Sequence, residues 1–343
     1  MKKNLKHLLA LCLTIALVFS LAACGQKADE TPNDAQDDQQ TEQEEFTPAN
    51  YSIAALKGPT AMGLVKLMKD SESGETTGNE YTFTLAGSAE EVTPAHLKAE
   101  RETAGVPATL AAVLYNKTEG EIEVLAVNTL GVLYIVENGE SVHSMADLKG
   151  KTIVAAGKGS TPEYALRYLL TENGIDPDND VTIDWKSEHS ECVAALASGQ
   201  ASVALLPQPF VTVAQSKIEG LRMALDLNAE WDALDNGSAL ITGVIVARRA
   251  VVEENPAAVK AFLKDYAASV DWVNANTADA AALIGEYSIV DAAVAEKALP
   301  YCNIVCLTGA DLLEALPGYL EVLYNASPAA VGGEMPDNSF YFA

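Results

Sequence analysis

Basic residues are scarce in this chain. Lysine and arginine number 22 against 48 aspartates and glutamates, leaving a formal charge of −26 over 343 residues. A surface of that sign is repelled by nucleic-acid phosphates and by anionic bilayers, which excludes non-specific polyanion binding. Cysteine is scarce too, with five in all. Cys12 and Cys24 lie near the N-terminus, and the remaining Cys192, Cys302 and Cys306 are an odd set that argues against a disulfide framework. The spacing Cys302-Asn303-Ile304-Val305-Cys306 leaves open a local disulfide, two metal ligands or, as the preferred reading, small buried apolar side chains. His96, His143 and His189 are scattered and match no HExxH or comparable ligand spacing. There is no nucleophile elbow and no Asp-x-Asp-x-Asp-Gly calcium loop. The glycine-rich stretch GKGST at 157–161 lacks the Gly-Lys-Ser/Thr ending of a nucleotide P-loop, so Lys158 reads as solvated. The segment Ser187-Glu188-His189-Ser190-Glu191 invites a triad reading, but a solvated loop or helix start is the simpler one. An enzyme, a metal-capturing lipoprotein or a surface adhesin are the competing classes, since fold does not decide function.

What is present begins with Met1-Lys2-Lys3, an apolar run over 8–18 and Leu21-Ala22-Ala23-Cys24. Lysines, an apolar stretch short for a bilayer and small residues before a cysteine form a secretory signal. The ending resembles a bacterial lipobox, which implies removal of residues 1–23 and lipidation of Cys24. Residues 25–47 are acidic, Gln-rich and nearly free of aliphatic side chains, and so form a disordered tether that cannot offset its ordering entropy. No later apolar run reaches membrane-spanning length, while 49 % hydrophobic residues suffice for sizeable cores.

From Tyr51 onward short apolar runs alternate with helical patterns, the sign of an α/β fold with mostly parallel sheets. Strands are expected at 51–56, 81–85, 123–128, 130–136, 152–156, 181–185, 202–206 and 240–247. Helices are expected at 60–69, 109–115, 162–172, 190–198 and 256–276, with a polar helical turn at 145–151. Their order suggests two lobes: 48–133 with 240–343, and 134–239. Two chain crossings between them make a hinge and therefore a cleft. In open α/β sheets ligands lie beyond the carboxyl ends of strands, where loops lead into helix N-termini. Three loops of matching character occupy such places: Lys57-Gly58-Pro59-Thr60, Val106-Pro107-Ala108-Thr109 and Gly157-Lys158-Gly159-Ser160-Thr161. In each, Gly or Pro makes a tight turn and a hydroxyl stands at the helix start, where it caps the helix or meets a ligand.

The lipobox, KGPTAMGLVKLM, VPATLAAVLYNKT, NTLGVLYIVE, GKGSTPEYALRYLL, LLPQPF, ENPAAVKAFLKDY and the closing VGGEMPDNSFYF together resemble the solute-binding lipoproteins of ABC importers, in the nitrate, sulfonate, taurine and thiamine-pyrimidine-precursor class. The resemblance covers about residues 51–342. It implies a two-lobe periplasmic-binding-protein fold of the second type, no catalysis and no cofactor. The implied partners are a small-molecule ligand, an ABC permease with its ATPase and the membrane through Cys24; the chain itself is expected to be a monomer outside the cytoplasm. Carried over by position, the ligand loops fall at Gly58, Pro59, Thr60 and Met62, at Pro107, Ala108 and Thr109, at Asn128 and Thr129, at Ser160 and Thr161, and at Gln208. Two departures stand out. Ala99-Glu100-Arg101-Glu102-Thr103 replaces the apolar strand that relatives have before the second loop, so that loop is expected to be held less rigidly. Gln208, between two prolines, stands where relatives often have an acid, which suits a less cationic ligand. No arginine lies in the three loops, so no bidentate clamp on a carboxylate or sulfonate is visible. A neutral, heteroaromatic or weakly anionic solute fits better, unless Arg167 or Arg222 reaches the cleft.

Overall fold

A computed structural model describes residues 48–76, 78–87, 91 and 102–342. The expected signal, the tether and Cys24 lie outside the described residues, as do Ala99, Glu100 and Arg101. Among the described residues no helix is long and apolar enough to cross a membrane.

The first sheet holds β1 (Asn50–Leu56), β2 (Glu80–Ala86), β3 (Thr103–Pro107), β4 (Ile122–Leu130), β10 (Ile241–Arg248) and β11 (Ile304–Leu307), in the order β11-β4-β10-β3-β1-β2. The second holds β5 (Leu133–Glu137), β6 (Thr152–Ala156), β7 (Thr182–Lys186), β8 (Val203–Pro207) and β9 (Arg222–Asp226), in the order β7-β6-β8-β5-β9. Burial follows position. The central β4, IEVLAVNTL, is buried at every residue but its last, whereas the edge strand β2, EYTFTLA, shows buried and exposed positions mixed along its length. A strand covered by helices on both faces reads as a continuous apolar run, and an edge strand does not.

Both sheets are mixed rather than mostly parallel. β1 runs parallel to β2 and β3, and β6 to β7 and β8, while β10 is antiparallel to β3 and β4, and β5 to β8 and β9. The reason lies in the connections. A crossover helix returns the chain in the same direction, but β5 and β10 arrive directly from the other sheet and are free to run the opposite way. The chain passes between sheets at Gly131-Val132 and again between β9 and β10. Gly131 has no room for a side chain, since a Cβ there would lie 2.5 Å from Asn228 Oδ1.

Two sequence expectations need correction. The helix read at 60–69 is two, Pro59–Met62 and Val65–Ser73, broken at Gly63 and Leu64 where the long helix Pro256–Ala275 crosses closely. A Cβ on Gly63 would meet Tyr266 Oη at 2.9 Å. Ser269 of that crossing helix fills the break, donating to the Gly63 carbonyl at 2.7 Å and accepting from the Leu67 amide at 3.1 Å. The second correction is β3. Despite its polar approach, this strand is hydrogen-bonded on both sides, and the Glu102 carboxylate accepts from the Ser52 amide at 2.8 Å, so the turn at Pro107 is firmly placed. Of the readings left open for Cys302 and Cys306, the preferred one holds, for both are free thiols, Cys302 buried and Cys306 partly so. Cys302 is fully buried beside Met62, with sulfur atoms 3.9 Å apart, and burial pushes both thiols up to about 12.

The helix Gly309–Ala326 packs against β4 and also against the helix Thr161–Glu172 that follows β6. Its Tyr319 ring lies 5.6 Å from that of Trp231 in the helix Leu227–Asp232. Aromatic contact of this kind adds about 0.5–1.5 kcal/mol beyond area burial. It ties the C-terminal part of the chain to both sheets.

Candidate functional site

A cavity of about 680 Å³ opens between the sheets, at the carboxyl ends of β1, β3, β6, β7 and β8. From the first sheet it is walled by Leu56, Lys57, Gly58, Pro59 and Thr60, by Pro107, and by Thr129 and Thr242. From the second come Leu133, Gly157, Ser160, Thr161, His189, Gln208, Phe210 and Val213. Ile289 and Val290, beyond the helix Thr277–Glu286, complete the wall.

The turns are built for close approach. Gly58 stands at φ 135° and Gly157 at φ 88°, conformations that side chains rarely adopt. A Cβ at Gly157 would also lie 2.8 Å from Pro162 Cγ. Behind these turns begin the helices Pro59–Met62, Ala108–Lys117, Thr161–Glu172, His189–Ala197 and Phe210–Lys217. Their first-turn amides have no intrahelical acceptor and carry partial positive charge toward the cavity.

The hydroxyls do not cap these helices. Thr60 Oγ1 donates to the Leu56 carbonyl at 2.8 Å, and Ser160 Oγ to the Gly157 carbonyl at 2.7 Å. Each proton is thus committed, which leaves the lone pairs of the oxygen as acceptors. Thr109 and Thr161 oxygens meet at 3.4 Å across the two sheets.

Of the sequence-expected ligand residues, Gly58, Pro59, Thr60, Pro107, Thr129, Ser160, Thr161 and Gln208 lie on the wall. Met62 and Ala108 do not; both are buried in the core of the first lobe. Asn128 is also fully buried and sits behind the wall, where it accepts from Thr129 Oγ1 at 3.1 Å and donates to the Thr60 carbonyl at 3.4 Å. Thr109 lines an adjoining cavity of about 570 Å³ with Lys158 and Lys186. Arg167 pairs with Asp178, and Arg222 with Glu137, so neither reaches the cleft. The charged side chains on the wall are Lys57 and Glu188, both exposed to solvent.

Sequence reasoning missed Thr242, His189 and Phe210. His189 does start a helix, as expected, but its ring is half-buried on the cavity wall rather than solvated. Burial lowers its pKa to about 4, so the imidazole is neutral at ordinary pH. Its ring centre lies 5.2 Å from that of Phe210. No triad forms around it, because Nδ1 has no partner and Ser190 Oγ donates to Glu188 at 3.1 Å instead. The positional part of the rule, a strand end leading into a helix start, also holds after β7 and β8 and points to His189 and Phe210, but the first of these turns has no glycine or proline and the second has no hydroxyl at its helix start. Among the described residues no group of three or more histidine, cysteine or carboxylate side chains could hold a metal ion.

Two mixed α/β lobes with a cleft at the carboxyl ends of their strands define a periplasmic-binding-protein fold. The structure superposes on an ABC transporter protein of Parabacteroides distasonis with a TM-score of 0.71 at 22 % identity, covering 85 % of this chain and 98 % of that one. It also superposes on the periplasmic aliphatic sulphonate binding protein SsuA of Escherichia coli with a TM-score of 0.66 at 17 % identity, covering 82 % of this chain and 88 % of that one. The chain belongs to the family described as ABC transporter, phosphonate, periplasmic substrate-binding protein, which matches residues 76–296. In sequence it is 28 % identical over 180 residues to a Brucella abortus protein named only in general terms as a binding protein, covering 52 % of this chain and 54 % of that one. The match thus spans about half the length of this curated relative.

Proposed function

We propose that this chain is the solute-binding component of an ABC importer, held outside the cytoplasmic membrane by a lipid on Cys24. It captures a small uncharged, heteroaromatic or weakly anionic solute between the lobes, closes about the two chain crossings, and presents the closed form to the permease and its ATPase. The observation that carries this reading is the cleft itself, walled by strand-to-helix turns from both sheets, so that a single ligand touches both lobes at once. Family membership supports the role. The absence of arginine from the described wall distinguishes this cleft from one that grips an oxyanion through a guanidinium fork. An anion held only by amides and hydroxyls would forgo that charge-assisted term.

Native mass spectrometry of the purified protein, before and after denaturing release, tests the reading. A stoichiometric small molecule that leaves on denaturation supports it. Turnover of chromogenic hydrolase substrates that is lost with the cleft residues would place the chain among the enzymes instead.

A further inference from the structure

The cleft holds one polar group whose orientation is set and whose hydrogen-bonding capacity is unused. Gln208, at the end of β8, is 1 % exposed and lies on the cavity wall. Its Oε1 accepts from Thr212 Oγ1 at 2.9 Å and from the Thr212 amide at 3.4 Å. A backbone N–H can only donate, so the side-chain atom that faces it is the oxygen. The NH2 group is thereby turned away from the helix Phe210–Lys217, and its Nε2 is buried without a partner. Two further buried atoms on the same wall are also unpartnered: Thr242 Oγ1 from the first sheet and His189 Nδ1 from the second. Buried polar groups left unpaired are costly, and several around one cavity mark the places where a ligand supplies the missing partners.

We propose that Gln208, whose Oε1 is held by Thr212 and whose Nε2 is left unpartnered at the cavity wall, is the specificity-determining donor of the cleft, and that the solute it selects is an uncharged heteroaromatic molecule presenting a carbonyl or ring-nitrogen acceptor. This rests on the solute-binding reading above and narrows it. The acceptor is required because Nε2 offers only N–H. An aromatic ring is favoured because the neighbouring wall is the Phe210 ring, the neutral His189 ring and the aliphatic side chains of Leu133 and Val213. A net charge is disfavoured because no ionised side chain is buried on the described wall to compensate one. Thr212 touches the ligand through nothing of its own and acts as a positioning residue.

The test is isothermal titration of the full chain with two sets of probes. One set is cytosine, uracil and nicotinamide; the other is methylphosphonate, methanesulfonate and nitrate. At least one ring should bind with a micromolar dissociation constant, and the three anions at least 100-fold more weakly. Gln208→Glu keeps the side-chain shape and still accepts from Thr212, but it turns an oxygen toward the ligand; it should weaken the ring at least 30-fold. Thr212→Val frees the amide to rotate and should weaken it 3- to 10-fold, an effect a merely structural threonine would not have once the melting temperature is matched. Should Gln208→Glu fail to fold, Thr212→Val decides alone. Anions that bind more tightly than every ring, or a ring whose affinity both variants leave unchanged, overturn the proposal while leaving the solute-binding reading standing. If neither set binds, the heteroaromatic assignment falls, and the native mass measurement above decides the solute-binding reading separately.

Discussion

Ser269→Ala should cost this protein more than the loss of any exposed hydroxyl. The side chain is 2 % exposed on the helix Pro256–Ala275, and its oxygen serves two main-chain groups at the break between Pro59–Met62 and Val65–Ser73. The Leu67 amide belongs to the first turn of its helix, so no carbonyl within that helix can take its place. Removing the hydroxyl leaves a buried N–H and a buried C=O unpaired, at about 1–3 kcal/mol for each group, with the carbonyl toward the lower end. The expected total is about 2–4 kcal/mol, a large share of the ~5–15 kcal/mol that holds an ordinary domain together. Equilibrium unfolding in urea reads this as a lower midpoint at unchanged slope. Ser73→Ala is the control, because that hydroxyl is exposed and bonded only to the Asp70 carbonyl; surface changes of this kind stay within about 0.5 kcal/mol. Hydrogen exchange should also quicken at residues 58–67 in Ser269→Ala, since the serine holds the segment that carries the first cleft turn. A loss below about 0.5 kcal/mol, or exchange unchanged there, would show that the break is held by packing alone and refute the argument.

Gly243→Ala, in β10, would bring a Cβ to 2.5 Å from Asn128 Oδ1 and 2.7 Å from Thr60 Cγ2; the expected cost is about 1–3 kcal/mol of overpacking, read by thermal and urea unfolding. Asn255→Ala removes the acceptor that holds the Ala258 amide at 3.0 Å at the start of the long helix, and should cost about 1 kcal/mol in the same assay. For Glu137, burial alone would raise the carboxyl pKa, but hydrogen bonds from Ser141, the Val142 amide and Arg222 outweigh it and hold the group at about 2. A carboxylate depressed in the folded state contributes stability that is present above its ordinary pKa near 4.5 and is lost as pH falls toward 2. The gap in urea midpoint between the native chain and Glu137→Gln should therefore be full at pH 7 and narrow between pH 4.5 and 2; a gap independent of pH would remove the carboxylate from the account.

Strands were legible where burial made them uniform. TIVAA in β6 and VALLP in β8 are runs that only a covered strand explains, and both fell within a residue of expectation. What stayed hidden depends on partners distant in sequence. Nothing in TAMGLVKLMK announces a break at Gly63, because the cause is a serine 206 positions away on a crossing helix. The polar stretch before β3 concealed a central strand, since a glutamate that bonds the neighbouring strand looks the same in sequence as one facing water. The elements between Phe210 and Asp232 went unread for a plainer reason: the helices Phe210–Lys217 and Leu227–Asp232 and the strand β9 are short, and each carries too few residues to declare a period.

The cleft divides in the same way. Glycine and proline at the ends of strands report a local conformational demand, so the turns at 57–60, 106–109 and 157–161 could be selected from sequence. Which atom of each turn faces the cavity could not, because hydroxyls that look like caps are spent on carbonyls one turn back. Gln208 shows the limit most clearly. Between two prolines an amide can present either its oxygen or its nitrogen, and the two choices select opposite ligands. The choice is made by the Thr212 amide, a group every residue but proline possesses, and it is expressed only once a helix begins at Phe210. Specificity of this kind resides in the register between a side chain and a helix start, so a family match that fixes the fold leaves the ligand to be read from hydrogen bonds.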